Sequence, residues 1–267
     1  MEAVLEEIEF LALSANRVEV LERLAAEPRT RAELAAATGA SQATLGRILR
    51  DFRERSWIER EGGAYVATAT GHLVADGFGD LLDVFETEAK LRGVASYLPV
   101  EALGFDLRRL ADATVTVPTG PRPNAPVQRG LDILADAGEV RVFSHAFNEG
   151  SLDAIAERTA DGETTFAGVF SRTAIDALAD DAPLRRRLAS LLDAEDAELR
   201  VYDDEIPLAV TVADDAVHLL VRDETGVLRA SVDTDDPAVR AWARERFDAY
   251  WTAATPLDRD DFAVDRP

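Results

Sequence analysis

The feature that most constrains the fold is an ordered set of helix and turn signals in the first quarter of the chain. Thr30 and Glu33 form a capping-box pattern that begins a short helix, and Gly39 is a residue suited to end it. Ser41 is a second N-cap and begins a helix that continues to about residue 55. Two short stretches of strand character then flank a Gly62-Gly63 turn. Two helices joined by a tight turn and followed by a hairpin predict a winged helix-turn-helix.

The second of these helices has one apolar face, so its opposite face is available to a partner. Leu45, Ile48, Leu49 and Phe52 fall on the apolar face and are predicted to pack inward. A helix in this position of a winged helix-turn-helix lies in the major groove of DNA. The residues that we expect to contact double-stranded DNA are Ser41, Gln42, Ala43, Thr44, Gly46, Arg47, Arg50, Arg60, Gly63 and Tyr65.

Each group in this set has a chemical reason to meet DNA. Ala43 and Gly46 are small, which would let the helix backbone approach the floor of the groove. The guanidinium fork of Arg47 matches either a guanine edge or a phosphate. Gln42 and Thr44 stand in the first turn, near base edges, and the helix N-terminus capped by Ser41 favours a phosphate. The hairpin residues are expected to follow the minor groove or the DNA backbone.

The same fold also serves as a protein-interaction or dimerisation module, and this alternative stays open. Individual arginines can equally be partners in surface ion pairs, for example Arg50 with Glu54 at i,i+4 spacing. A third alternative is an enzyme that uses a winged helix only to dimerise.

The charge balance indicates an environment of high salt. The formal net charge is −22, and Lys90 is the only lysine among 29 basic residues. Because molar salt screens repulsion between carboxylates, this composition predicts a halophilic, archaeal source. Residues 28–60 are the exception, with seven arginines against four acidic residues, and such a locally basic island favours a polyanionic partner.

Several kinds of site are disfavoured by composition. The absence of cysteine excludes disulfides, thiol nucleophiles and cysteine-ligated metals. The three histidines show no metal-ligand spacing, so we expect no metal site, and no motif predicts a cofactor. No apolar run is long enough for a membrane span and no secretory signal is present, so a cytoplasmic protein without a membrane partner is expected.

The pattern predicts an α+β chain in four parts. Residues 1–70 are the winged helix-turn-helix, and residues 71–98 are a connecting amphipathic helix. Its apolar stripe of Val74, Phe78, Leu81 and Phe85 suits a homodimer seam or packing on its own domain. Strands alternating with helices predict an α/β domain with a mixed sheet over residues 103–255, followed by a polar tail over residues 256–267.

Particular motifs in both parts of the chain resemble a known class of regulators. Asn16–Leu21, Thr44–Leu49 and Trp57-Ile58 resemble halophilic-archaeal winged-helix regulators. Residues 113–126 and Phe143–Ala146 resemble the sensor domain of the methanogenesis regulatory protein, of the filamentation-regulator type. The resemblance covers about residues 5–255. It implies a cytoplasmic, usually dimeric transcription regulator with an effector domain whose ligand is not assigned.

Polar residues near strand ends of the second part predict a pocket for an unknown small-molecule effector. Open α/β sheets place their ligands at the carboxyl ends of their strands. The residues expected to line this pocket are Ser144, His145, Ser171 and Arg172. A second stretch, the proline-rich loop with Arg122 and with Asn124 at the start of the following helix, could hold an anionic ligand. A proline-rich crossover at residues 118–126 and a structural histidine are the alternatives.

No catalytic residue is predicted. The order of strands and helices loosely resembles the phospholipase D-like fold, whose chemistry needs a His-x-Lys pair. His145 is followed by Ala146 and Phe147, so a non-catalytic version is expected. A nucleophile elbow, a P-loop and a dinucleotide-binding glycine motif are all missing, and the last absence also weighs against a methyltransferase.

Overall fold

The computed structural model describes residues 1–258 and divides the chain into two compact units, Met1–Glu86 and Thr87–Pro267. The predicted polar tail falls mostly on residues 259–267, which lie outside the described part. Its first residue, Pro256, lies in a short strand, since Thr255–Pro256 pairs with the sheet of the second unit. None of the helices described is long and apolar enough to cross a membrane.

The first unit is a winged helix-turn-helix. Its helices are α1 (Glu2–Ala12), α2 (Ala15–Ala26), α3 (Arg31–Thr38) and α4 (Gln42–Glu54), followed by β1 (Ile58–Glu61), β2 (Ala64–Ala67) and α5 (Ala69–Leu91). The capping box predicted for α3 is present, because the Thr30 side chain accepts from the Glu33 amide while the Glu33 carboxylate accepts from the Thr30 amide. Gly39 ends α3 in the left-handed conformation.

Aromatic rings hold this unit together around the inner face of α4. Phe52 is fully buried, and its ring centroid lies 5.6 Å from that of Trp57 and 6.2 Å from that of Phe10. The guanidinium groups of Arg17 and Arg55 lie 3.9 and 3.8 Å from the centroid of the Phe10 ring. These contacts fasten α1 to α4 and leave the outer face of α4 free of the core.

The second unit contains three short 3-10 helices and then alternating strands and helices. These are β3 (Thr114–Thr116), α6 (Ala125–Leu134), β4 (Glu139–Ser144), α7 (Glu149–Ala160), β5 (Thr165–Ser171), α8 (Arg172–Asp180), α9 (Ala182–Leu192), β6 (Ala197–Tyr202), β7 (Ala209–Ala213), β8 (Ala216–Arg222), β9 (Leu228–Thr234), α10 (Pro237–Ala253) and β10 (Thr255–Pro256). The predicted strands and helices are therefore present, whereas β3 and β10 had no clear sequence signal.

All eight of these strands form one mixed sheet, in the order β10-β6-β5-β4-β7-β8-β9-β3. Strands β4, β5 and β6 are parallel, and the remaining pairings are antiparallel. Helix α10 contacts one face of the sheet, and α6 to α9 pack on the other. The predicted α+β class with a mixed carboxyl-terminal sheet is confirmed.

A polar cluster is buried where α6 meets the sheet. His218 Nδ1 lies 3.2 Å from Asp233 Oδ1, and Arg129 Nε donates to Asp233 Oδ2 at 2.7 Å. Burial alone would raise the pKa of Asp233, but the hydrogen bonds from His218 and Arg129 outweigh it and lower that pKa. Gly130 leaves the room that His218 needs, because a Cβ there would lie 2.9 Å from the imidazole Nε2.

The connecting helix packs on its own unit over only part of the predicted apolar stripe. Phe78 is buried in the core of the first unit, whereas Phe85 is 61% exposed. The predicted stripe is thus divided, since its first part packs on its own unit. Beyond Phe78, the apolar residues Leu82, Val84 and Phe85 are exposed.

Gly71 marks a close approach at the start of α5. A Cβ built on Gly71 would lie 1.9 Å from the carbonyl oxygen of Trp57, which already accepts from the Thr68 amide at 2.9 Å. Gly77, in the same helix, has no atom within 4 Å of its Cβ position.

These two glycines make a matched pair of substitutions. Gly71→Ala is expected to destabilise the first unit by about 1–3 kcal/mol, since backbone must move. Gly77→Ala is expected to stabilise it by about 0.5–1 kcal/mol through helix propensity. Amide hydrogen exchange of residues 42–54 in the full chain measures both. Equal effects of the two substitutions would contradict the close packing of α5 against Trp57.

Candidate nucleic-acid interface and effector cavity

The outer face of α4 presents most of the predicted DNA-contact residues to solvent. Leu45, Ile48, Leu49 and Phe52 are buried, so the helical period turns Ala43, Arg47 and Arg50 outward. Ser41 Oγ accepts from the Thr44 amide at 3.1 Å and caps the helix, as expected. Ser41, Gln42, Ala43, Arg47 and Arg50 are all exposed, and Thr44 is half-buried.

Gly46 does not provide the open approach that its small size suggested. The guanidinium of Arg31 lies over it, and a Cβ on Gly46 would stand 2.8 Å from the Arg31 Nη2. The same Nη2 donates to the carbonyl of Gln42 in the first turn of α4. Arg31 therefore covers Gly46 and adds a cation beside the N-terminus of α4. Arg31 was not among the residues predicted to contact DNA, because it stands on the preceding helix.

The seven arginines of residues 28–60 fall into two groups. Arg29 pairs with Glu27, Arg55 pairs with Glu7 at 2.6 Å, and Arg50 lies 3.5 Å from Asp51 and 3.7 Å from Glu54. The other group has no carboxylate within ion-pair distance in residues 1–258, and its members are Arg31, Arg47, Arg53 and Arg60. In so acidic a chain, four arginines without carboxylate partners on one small unit leave positive charge for an external anion.

The wing is a tight hairpin anchored to the body of the unit. Gly62 and Gly63 have φ values of +55° and +99°, as a two-residue turn of type I′ requires. Arg60 is paired with Tyr65 across the hairpin, and its guanidinium carbon lies 5.9 Å from the Tyr65 ring centroid. The backbone of Tyr65 also exchanges hydrogen bonds of 3.0 and 2.8 Å with Arg29. Tyr65 is half-buried, so its backbone holds the wing in place, while Arg60 and Gly63 are exposed.

In the second unit, the sheet brings several strand ends to one edge. Strands β4 and β5 are parallel, so Ser144 and Ser171 end at the same edge. Strand β7 is antiparallel to β4, and β8 is antiparallel to β7, so Arg222 at the end of β8 returns to that edge. The edge predicted to carry the effector site is thus formed by four adjacent strands.

The six predicted ligand residues lie in three places. Ser144 lines an apolar cavity, whereas His145, Ser171 and Arg172 line a neighbouring depression. Arg122 and Asn124 line neither one and are exposed on the loop before α6.

Internal hydrogen bonds explain the positions of the serines and of Arg172. Ser144 Oγ donates to the Ala146 carbonyl at 2.7 Å, Ser171 Oγ caps α8, and Arg172 pairs with Asp203 at 2.7 Å. These side chains therefore stabilise the local backbone and its surface contacts.

His145 is held in its neutral form. Burial lowers the pKa of His145, the nearby charge of Arg222 lowers that pKa further, and a hydrogen bond with the backbone of Ile206 opposes both effects. Its Nδ1 is buried without a hydrogen-bond partner in the described structure.

Arg222 also lies at this edge, although it was not among the residues predicted to line the effector site. Its side chain lines the apolar cavity together with Ser144, Asn148 and Thr211. An arginine at the end of an apolar strand was the available signal, but no spacing rule connects residue 222 with residue 144. Only the pairing of β4, β7 and β8 brings them to one edge. Residues 1–258 contain no cluster of three histidine or acidic side chains suited to hold a metal ion.

Two family models match the chain, one in each part. Residues 5–90 match the HVO_A0261 N-terminal domain, and residues 123–253 match the middle domain of the methanogenesis regulatory protein FilR1. The predicted resemblance to regulators of this type is thereby confirmed. No curated protein matches the chain at a significant level.

Solved structures with similar arrangements share little sequence with the chain. TrmBL2, described as an archaeal chromatin protein with a novel mode of DNA binding, is 18% identical over 93% of this chain and 98% of its own, with a TM-score of 0.43. The phospholipase D family member Nuc from Salmonella typhimurium is 15% identical over 55% of this chain and 99% of its own, with a TM-score of 0.45. MepR, a transcription regulator from Staphylococcus aureus, is 20% identical over 36% of this chain and 73% of its own, with a TM-score of 0.29.

Proposed function

We propose that this chain, whose second part matches the middle domain of a methanogenesis regulatory protein, is a sequence-specific DNA-binding transcription regulator with an effector-sensing second unit. The observation that carries the proposal is the exposed face of α4, where Arg47 has no carboxylate partner in the described structure. We assign DNA binding to residues 1–70, connection and dimerisation to residues 71–98, and sensing to residues 103–255. A regulator of this kind works by binding, without turnover, in the cytoplasm that holds the genome.

The chemistry of α4 suits the major groove. Arg47 projects from the second turn of the helix, where its fork can bind the O6 and N7 atoms of a guanine. Gln42 is exposed in the first turn and can pair with an adenine edge. Ser41 caps the helix, and Arg31 lies beside that terminus, so both favour a phosphate there. Arg60 of the wing supplies a second contact to the DNA backbone.

Molar salt changes the balance among these contacts. Phosphate contacts lose affinity steeply as salt rises, because the counterions released on binding gain less entropy when they enter a more concentrated salt solution. Outside its arginine-rich face, a protein of net charge −22 offers no attraction to DNA, even though molar salt screens the repulsion. Base contacts from α4 must therefore supply most of the affinity.

Arg47→Ala tests this assignment. A target duplex is first selected from random DNA in molar potassium chloride with the unaltered protein. Arg47→Ala is expected to weaken binding to that duplex by about 1–3 kcal/mol and to relax the preference at one base pair, as loss of a bidentate base contact should. Titration of labelled duplexes gives both quantities.

Arg23→Ala is the matched control, because Arg23 lies on α2 and pairs with Glu19 at 2.6 Å. Its affinity for the selected duplex is expected to equal that of the unaltered protein. An equal loss in both variants, or none in Arg47→Ala, would contradict the role of α4. Failure to select any shared sequence would instead favour a protein-interaction module.

We further propose that the regulator is a homodimer joined through the exposed apolar residues of α5. Leu82, Val84 and Phe85 are 36%, 39% and 61% exposed within four consecutive positions. Full burial of such a side chain from water contributes about 1.5–3 kcal/mol, so a second copy of the same helix would gain part of this at Phe85 and a smaller part at Leu82 and Val84. In molar salt the repulsion between two acidic copies is screened.

Phe85→Ser is expected to shift the dimer toward a monomer of 29.0 kDa, because it removes the largest exposed apolar side chain of this patch. Light scattering coupled to size exclusion in molar potassium chloride measures the mass. Val227→Ser, at an exposed valine in the β8–β9 turn, is the control and should leave the mass unchanged. A monomeric unaltered protein would overturn the dimer proposal and leave the DNA proposal standing.

A further inference from the structure

The apolar cavity at the strand edge of the second unit has the features of a binding site. Its volume is about 60 Å³, on a scale where one water needs about 10–15 Å³. The apolar part of its wall includes Leu134, Val142, Phe147, Leu152, Phe166 and Phe170. The rings of Phe147 and Phe170 are stacked with centroids 4.0 Å apart. This volume is below the roughly 150 Å³ that encloses a whole benzene ring, so the cavity takes part of the apolar body of a small organic molecule.

The charge at this cavity comes from Arg222. Its Nη1 donates to the carbonyl of Gly226 at 2.9 Å, and its Nε is buried without a hydrogen-bond partner. Among the described residues no carboxylate pairs with it, although the chain carries 51 acidic residues. The surroundings partly exclude water from the guanidinium, and this burial lowers the pKa of Arg222.

Partial burial of a guanidinium without a nearby anion costs free energy, and an anionic ligand that pairs with it would offset that cost. Arginine stays protonated in proteins, so Arg222 cannot escape the cost by losing its proton. The nearest histidine, His145, has a lowered pKa and is neutral near pH 7, so it adds no second cation. The site therefore presents one positive charge, unused donors and an apolar wall.

We propose that this cavity binds a small organic monoanion with an apolar body, a carboxylate whose head meets Arg222 and whose body contacts Phe147 and Phe170. The inference rests on the proposed function, because it names the chemical class of the effector. Asn148 and Thr211 lie in the same lining and offer polar groups that help to orient the head.

The neighbouring depression is less suited to a carboxylate than the apolar cavity is. It is lined by His145 and Arg172, but also by five acidic residues, Asp203, Asp204, Glu205, Asp223 and Glu224. Arg172 is already paired with Asp203. A carboxylate ligand would be repelled there, whereas Arg222 faces no acidic residue in the cavity lining.

Isothermal titration of the full chain with benzoate tests the proposal, at constant potassium chloride. Benzyl alcohol keeps the ring without the charge, and acetate keeps the charge without the ring. Benzoate is expected to bind at least about tenfold more tightly than either compound, since only benzoate uses both parts of the site. Equal binding of benzoate and benzyl alcohol, or of benzoate and acetate, would overturn the proposal, and so would no binding of benzoate.

Three variants locate the site. Arg222→Gln is expected to weaken benzoate binding about tenfold or more, and Arg222→Lys, which keeps the charge, to retain the preference for benzoate over benzyl alcohol. Arg186→Gln, at an exposed arginine of α9, is the control and should bind benzoate unchanged. Unchanged benzoate binding in Arg222→Gln would overturn the assignment. If Arg222→Gln does not fold, loss of the preference in Arg222→Lys would do so.

The selected DNA duplex separates this inference from the proposed function. Duplex binding without benzoate binding would reject only the carboxylate site. Benzoate binding without any sequence preference on DNA would support the carboxylate site and reject the regulator.

Discussion

The burial of one face of α4 is the constraint on which the rest of the first unit depends. Leu45, Ile48, Leu49 and Phe52 fix the rotation of the helix about its axis, because each is almost fully buried. That rotation turns Arg47 outward, while α1 and Trp57 brace the inner face. The apolar packing thus sets the geometry of the charged surface, and no polar contact of α4 could hold it as firmly.

Arginines without a carboxylate partner are informative in this chain because acidic residues are in excess. Most arginines in residues 1–258 have a carboxylate of the same chain within 4 Å, so they need no anion from outside the chain. Arg47 on α4 and Arg222 at the end of β8 do not, and Arg47 is exposed to solvent whereas Arg222 lines the apolar cavity. Both proposals therefore follow from one physical observation, an arginine left without an anion in a chain of net charge −22.

Local signals predicted the winged helix-turn-helix well, because caps, turn glycines and helical periodicity act over a few residues. Ser41, Gly39 and the Gly62-Gly63 turn all have the predicted roles. Contacts between distant segments were not predictable in this way. Arg31 covers Gly46 from another helix, and Arg222 joins Ser144 only through the pairing of β4, β7 and β8. The division of Ser144 and His145 between two sites was not predictable for the same reason, since strand-end patterns carry no information about which strands are neighbours.

The salt dependence of DNA binding tests the central claim most directly, with the selected duplex and a scrambled duplex titrated across a range of potassium chloride. Four arginines without carboxylate partners allow few phosphate contacts, so the slope of log K against log salt should be no steeper than about −4 per winged helix, at about −0.9 per phosphate. The preference for the selected duplex should persist in molar salt. A steeper slope, or equal affinity for both duplexes, would contradict recognition by base contacts from α4.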